Sequence, residues 1–149
     1  MEAVKTMIRH SKTETSEVPR TLTDISMLVA DVLLEAGYLL GCAGQYPESE
    51  KCFKAILALD SRCIGGWLGL GNVLLIQGRT DESEAAYEMV LQEEPGDPAA
   101  RAFLGELYLC TGRIPEGREM LESVYWDYPE SKTGTWAWKL VQLSRMVHA

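Results

Sequence analysis

The sequence predicts an all-α fold: three helical hairpins stacked as a short right-handed solenoid and closed by a C-terminal capping helix. Three observations predict it. Gly37, Gly71 and Gly105 recur every 34 residues, and Gly44, Gly78 and Gly112 repeat the interval. Glu48, Glu82 and Glu116 keep that register, as do Phe53, Tyr87 and Leu121, and Ile56, Val90 and Val124. Pro95 and Pro129 close the second and third copies, where the first has Ser61. A chain of 149 residues, 46% hydrophobic and 24% charged, has the length of one domain and the balance of a globular one.

Residues 1–20 mix Glu2, Lys5, Arg9, Lys12, Glu14 and Glu17 with Ser and Thr, and read as a flexible N-terminal tail with no apolar core of a secretory signal. The folded domain then runs over residues 21–149. Leu22 to Val29 extends the first helix, with Thr21 or Thr23 as its N-cap. The repeats fall at about 30–63, 64–97 and 98–131, each a helix A followed by a helix B. Helix A ends at Gly44, Gly78 or Gly112, because glycine adopts the left-handed C′ conformation without steric cost. Pro47 and Pro115 open helix B, where a missing N–H removes nothing, and Asp81 suits the helix dipole there. Ser49 and Ser83 give way to Gly117 in the third copy, which costs about 1 kcal/mol relative to alanine unless close packing offsets it. The capping helix, about 132–148, places Trp136, Leu140, Leu143 and Val147 on one stripe. Trp126, Trp136 and Trp138 pack this cap or, alternatively, form a dimer seam.

Trp67, Leu70, Gly71, Leu74, Gly78, Tyr87, Val90 and Pro95 resemble the tetratricopeptide motif, and the resemblance covers Ala30–Ser131. Leu33 and Arg101 stand where the motif's tryptophan is kept only at Trp67. The resemblance implies a concave groove lined by helices A. The family's groove positions fall on Asp31, Leu34, Tyr38, Gly41 and Cys42, then Gly65, Leu68, Asn72, Leu75 and Ile76, then Ala99, Ala102, Glu106, Leu109 and Cys110. Of these, Leu34, Tyr38, Leu68, Asn72, Leu75, Ala102, Glu106 and Leu109 are the expected partner contacts. Relatives that hold chaperone C-termini use a cationic clamp, and here its positions carry Leu34, Tyr38, Gly69, Ala99 and Phe103.

A net charge of −8 repels phosphate backbones and anionic lipid, so neither nucleic acid nor membrane is an expected partner. The charge is uneven. Residues 30–131 carry seven basic and eighteen acidic residues, whereas residues 132–149 hold three basic and no acidic ones. Uninterrupted apolar runs such as Val73 to Ile76 are far shorter than a membrane span, and a cytoplasmic location is the expectation. Cys42, Cys52, Cys63 and Cys110 form no C-x-x-C pair and lie near no histidine, which argues against a metal or redox site. His10 and His148 sit near the two ends, so no nucleophile–base pair is expected inside the fold. The run Leu68-Gly69-Leu70-Gly71-Asn72 lacks the order of a phosphate loop. No enzymatic activity and no cofactor are expected.

Phe53, Leu59-Asp60 and Trp67-Leu68-Gly69-Leu70-Gly71 in a short acidic chain resemble the small tetratricopeptide chaperones of bacterial type III secretion systems. That resemblance implies a chaperone holding a hydrophobic secretion substrate, a needle subunit or a translocator, in its groove. The expected partner is a protein or peptide bearing an amphipathic helix or extended apolar segment. A small co-chaperone or a homodimer is a further partner the resemblance implies. The alternative is a generic scaffold or adaptor within a larger assembly.

Overall fold

Among residues 21–148, which the computed structural model describes, the chain forms seven helices and no strand. They are α1 (Leu22–Cys42), α2 (Tyr46–Leu59), α3 (Ile64–Ile76), α4 (Thr80–Glu93), α5 (Pro98–Cys110), α6 (Ile114–Asp127) and α7 (Lys132–Val147). The tail expected over residues 1–20, with His10, lies outside the described residues.

Helix ends follow from local chemistry. Thr21 caps α1 reciprocally: its Oγ1 accepts from the Asp24 N–H, and the Asp24 carboxylate accepts from the Thr21 N–H, both at 3.1 Å. Gly44, Gly78 and Gly112 all take positive φ, at 77°, 75° and 84°. The residue after each glycine donates its N–H back into the last turn, Gln45 to Leu40 O, Arg79 to Leu74 O and Arg113 to Tyr108 O, at 2.8–2.9 Å. This Schellman pattern satisfies carbonyls that the helix leaves open. Asp97 and Ser131 cap α5 and α7 by accepting from Ala100 N–H and Gly134 N–H.

The turns fold the helices into the pairs α1–α2, α3–α4 and α5–α6, while α7 packs on both α6 and α5. Phe53, Tyr87 and Leu121 press onto Gly37, Gly71 and Gly105, where an added Cβ would collide with them. Ser49 Oγ donates to Gly37 O at 2.6 Å and Ser83 Oγ to Gly71 O at 2.7 Å, each bond contributing about 0.5–1.5 kcal/mol. Gly117 gives the third hairpin no such bond. A Cβ on it would stand 2.8 Å from Gly105 O, so the two helices use the missing side chain to approach more closely. Three apolar clusters follow one another along the array. They centre on Phe53, Ile56 and Val73, on Tyr87, Leu104 and Leu107, and on Leu121, Val124 and Val141.

A polar ladder joins successive hairpins. Buried Glu50 accepts from Arg79 at 2.8 Å and meets Lys54 at 2.6 Å; one repeat later Glu84 meets Arg113 at 3.0 Å. Burial works to raise the Glu50 carboxyl, but hydrogen bonds from Lys54, Gln77 and Arg79 outweigh it and hold the group below its ordinary value. A depressed carboxyl adds stability above its unfolded pKa, and that stability is lost as pH falls through the folded value. Arg79→Ala is therefore expected to lower the melting temperature at pH 7 and to flatten the fall of stability in acid, measured by thermal melts across the acid range.

Two expectations need correction. The fully buried face of α7 is Gly134, Ala137, Val141 and Ser144; of the expected stripe, Trp136 and Leu140 pack half-buried beside it, while Leu143 and Val147 do not. Small residues allow α7 to lie close on α6, and the C-terminal half of the stripe is rotated away, leaving Leu143 and Val147 exposed. Counting only uninterrupted runs also missed α1, which at 21 residues is long and apolar enough to cross a membrane. Its second half nevertheless packs on α2 as helix A of the first hairpin, and Asp31 and Glu35 would each cost about 2.5–3.5 kcal/mol at the centre of a span. Its first half is bare: Leu22, Ile25, Met27, Leu28 and Val29 are all exposed.

Candidate functional site

Helices α1, α3, α5 and α7 neighbour one another in that order, forming one wall that the B helices do not cover. The expected groove residues distribute unevenly on it. Tyr38 is exposed and stands edge-on to Phe53, with ring centroids 5.2 Å apart. Leu34 is half-buried and reaches across to Gly65 of α3. Leu68 and Leu75 are half-buried too, packed against the Tyr87–Leu104 cluster, so each shows only part of its surface. Asn72 Oδ1 accepts from the Tyr87 hydroxyl at 2.6 Å, which leaves its amide N–H groups as the remaining donors. Burial raises the Tyr87 phenol well above its ordinary value and fixes it as a donor.

Ala102 does not belong to the contact surface. It is fully buried with Leu121, Val124, Ala137 and Val141, because α7 lies over this part of α5. Glu106 and Leu109, by contrast, come together in a cleft of about 220 Å³ between α5 and α7. Cys110, Leu140, Leu143, Ser144, Val147 and His148 complete its lining. The α7 residues escaped the sequence reading as site residues. Their signal was the stripe containing Leu140, Leu143 and Val147, which was assigned to cap packing, whereas α7 continues the row of A helices as its fourth member.

The electrostatics of the cleft are simple. Glu106 is half-buried on an apolar wall, and among the described residues it forms no hydrogen bond or ion pair. Burial pushes its carboxyl up, because low-dielectric surroundings disfavour the charged form. Burial and the Glu106 charge together push the Cys110 thiol up, away from the reactive thiolate. Arg118 reaches the back of Ser144 from α6, donating to its hydroxyl at 2.8 Å and to its carbonyl at 2.6 Å. Among the described residues no cluster of three or more His, Cys, Asp or Glu is placed to hold a metal ion. The wall is suited to burying apolar groups of another chain around one carboxylate.

Comparison with known proteins gives the same architecture. Residues 34–98 match one family model and residues 74–125 a second, both described as tetratricopeptide repeat. The type III secretion translocator chaperone SycD of Yersinia enterocolitica is 20% identical, with a TM-score of 0.74 over 82% of this chain and 94% of that one. PcrH, solved in complex with the chaperone binding region of PopD, is 16% identical, with a TM-score of 0.71 over 89% of this chain and 100% of that one. The first repeat domain of Spaghetti (RPAP3), bound to an HSP90 peptide, is 15% identical, with a TM-score of 0.70 over 80% and 93% of the two chains. At these identities the likeness is one of fold. No curated protein matches the sequence. Tetratricopeptide repeats are protein-binding modules, and the two repeat models account for residues 34–125 without a gap. The chain is a tetratricopeptide-repeat protein, with a fold like that of the type III secretion chaperones.

Proposed function

We propose that this protein is a non-enzymatic cytoplasmic chaperone that holds a hydrophobic type III secretion substrate, a needle subunit or a translocator, along the wall of α1, α3, α5 and α7. The observation that carries the reading is the end of that wall, where Leu109, Leu140, Leu143 and Val147 surround an open apolar cleft. Exposed contiguous apolar surface is costly in water and marks an interaction site. The positions on α1, α3 and α5 where a cationic clamp would stand carry Leu34, Tyr38, Gly69, Ala99 and Phe103, so an apolar segment fits them better than a charged chain end. SycD and PcrH support the choice of client class, the first as a translocator chaperone and the second through its PopD segment. The bare first half of α1 provides a surface on which a second copy, or a small co-chaperone, would pair.

Leu143 and Val147 are exposed, so replacing both by aspartate leaves the core untouched. Native co-purification from the cells of origin is expected to recover one hydrophobic secreted protein through a high-salt wash. The Leu143→Asp/Val147→Asp variant should recover about 100-fold less, since each side chain contributes about 1.5–3 kcal/mol when buried. Undiminished recovery, with an unchanged melting temperature, would remove the cleft from the binding site. Recovery of a large assembly that dissociates at high salt would favour the scaffold instead.

A further inference from the structure

We propose that the cleft between α5 and α7 takes a client segment in which an apolar side chain is accompanied by a lysine or arginine, the apolar group filling the cleft and the cation pairing with Glu106. The inference rests on the groove reading above and adds the chemistry of what fits its C-terminal end.

Glu106 is unusual among the acids of this chain. Glu50, Glu84, Glu93 and Glu122 each hold an arginine or lysine within 3.0 Å. Glu106 holds none, although it is more enclosed by apolar neighbours than an ordinary surface acid. A carboxylate so placed is relieved either by taking a proton or by meeting a cation. Neither lysine nor arginine lines the cleft, whose one basic side chain is the imidazole of His148, and Arg118 behind it is committed to Ser144. A charge-assisted bond formed as the client closes the cleft would be shielded from water, where such bonds are strong. Like charge repels a segment that brings its own carboxylate, so Glu106 also acts as a discriminator.

The probe is a blocked leucine–alanine peptide of helical sequence with one central lysine, compared with the same peptide carrying norleucine or glutamate there. Binding to the full chain is followed by calorimetry at low and moderate salt. The lysine peptide is expected to bind about ten-fold or more tightly than the norleucine peptide, and the glutamate peptide weakest of the three. In Glu106→Gln the advantage of lysine over norleucine should vanish, while norleucine binding stays. The glutamine variant should melt no lower than the parent at pH 7, because among the described residues Glu106 forms no hydrogen bond or ion pair that the change would remove. Equal binding of the lysine and norleucine peptides, both lost in Leu143→Asp/Val147→Asp, would overturn the cation pairing and leave the groove standing. A lysine advantage that persists in Glu106→Gln would overturn Glu106 as the partner. If none of the peptides binds, the groove reading itself falls, and the inference with it.

Discussion

Replacing Gly134 by alanine is expected to destabilise the protein by about 3 kcal/mol, the upper part of the overpacking range, and to abolish the cleft. Gly134 sits in the first turn of α7, where a Cβ would overlap the carbonyl of Tyr128. That carbonyl cannot swing away, because it accepts from the Ser131 N–H at 3.2 Å and the Ser131 hydroxyl at 2.9 Å. The same hydroxyl accepts from the Gly134 N–H at 2.9 Å, so the turn between α6 and α7 is closed from both sides. The helix-propensity gain of about 1 kcal/mol from removing a glycine is smaller than the strain it introduces. Relief comes only from shifting α7, and with it Leu140, Leu143 and Val147, off α5. Thermal melting together with tryptophan fluorescence of Trp136 and Trp138 checks this. Gly96→Ala is the control, since nothing lies within 4 Å of its added Cβ, and it should change stability by less than about 0.5 kcal/mol.

Phe53→Ala is expected to cost about 3–5 kcal/mol, as truncations of buried aromatic side chains do. Phe53 is 1% exposed and wedges between α1 and α3, its ring against both Gly37 and Gly69. Bare backbone on both sides cannot expand into the space that the ring leaves, so the cavity persists. Tyr38 loses the ring on which it stands, and the N-terminal part of the wall of α1, α3, α5 and α7 loses its shape with it. Urea denaturation should show a lower midpoint, and binding of a client segment that spans Tyr38 should weaken in step. A midpoint within experimental error of the parent would show that the first hairpin does not depend on this wedge.

The repeats were legible because each column has a separate physical cause. Gly44, Gly78 and Gly112 mark left-handed turns, Pro47 and Pro115 mark helix starts, and Phe53, Tyr87 and Leu121 need the small residues opposite them. The cap was legible as a helix but not in its orientation. Leu143 and Val147 form an apolar stripe, and apolar residues ordinarily turn inward. Here Gly134, Ala137 and Ser144 win the inner face because small side chains let α7 settle onto α6. Ala102 failed as a contact residue for the same reason: a repeat scheme presumes an open neighbour, and α7 covers that position. The Glu50–Arg79 and Glu84–Arg113 ladder links residues 29 apart, a distance at which no helical spacing signals contact. Glu106 follows from its repeat position, whereas its lack of a lysine or arginine partner among the described residues depends on how the helices assemble.

The bare first half of α1 also sets how the array comes apart. In a stack whose elements meet only their neighbours, opening begins at an unprotected end and proceeds inward. Ile25 to Val29 hold their amides by helical bonds alone, with almost no side-chain cover, so these amides should exchange with deuterated water before the rest of the hairpin. The middle of the chain, where Tyr87, Val90 and Leu107 are sealed, should exchange last. Anything that binds over α1 would slow exchange along the whole first hairpin without touching the cleft at the opposite end.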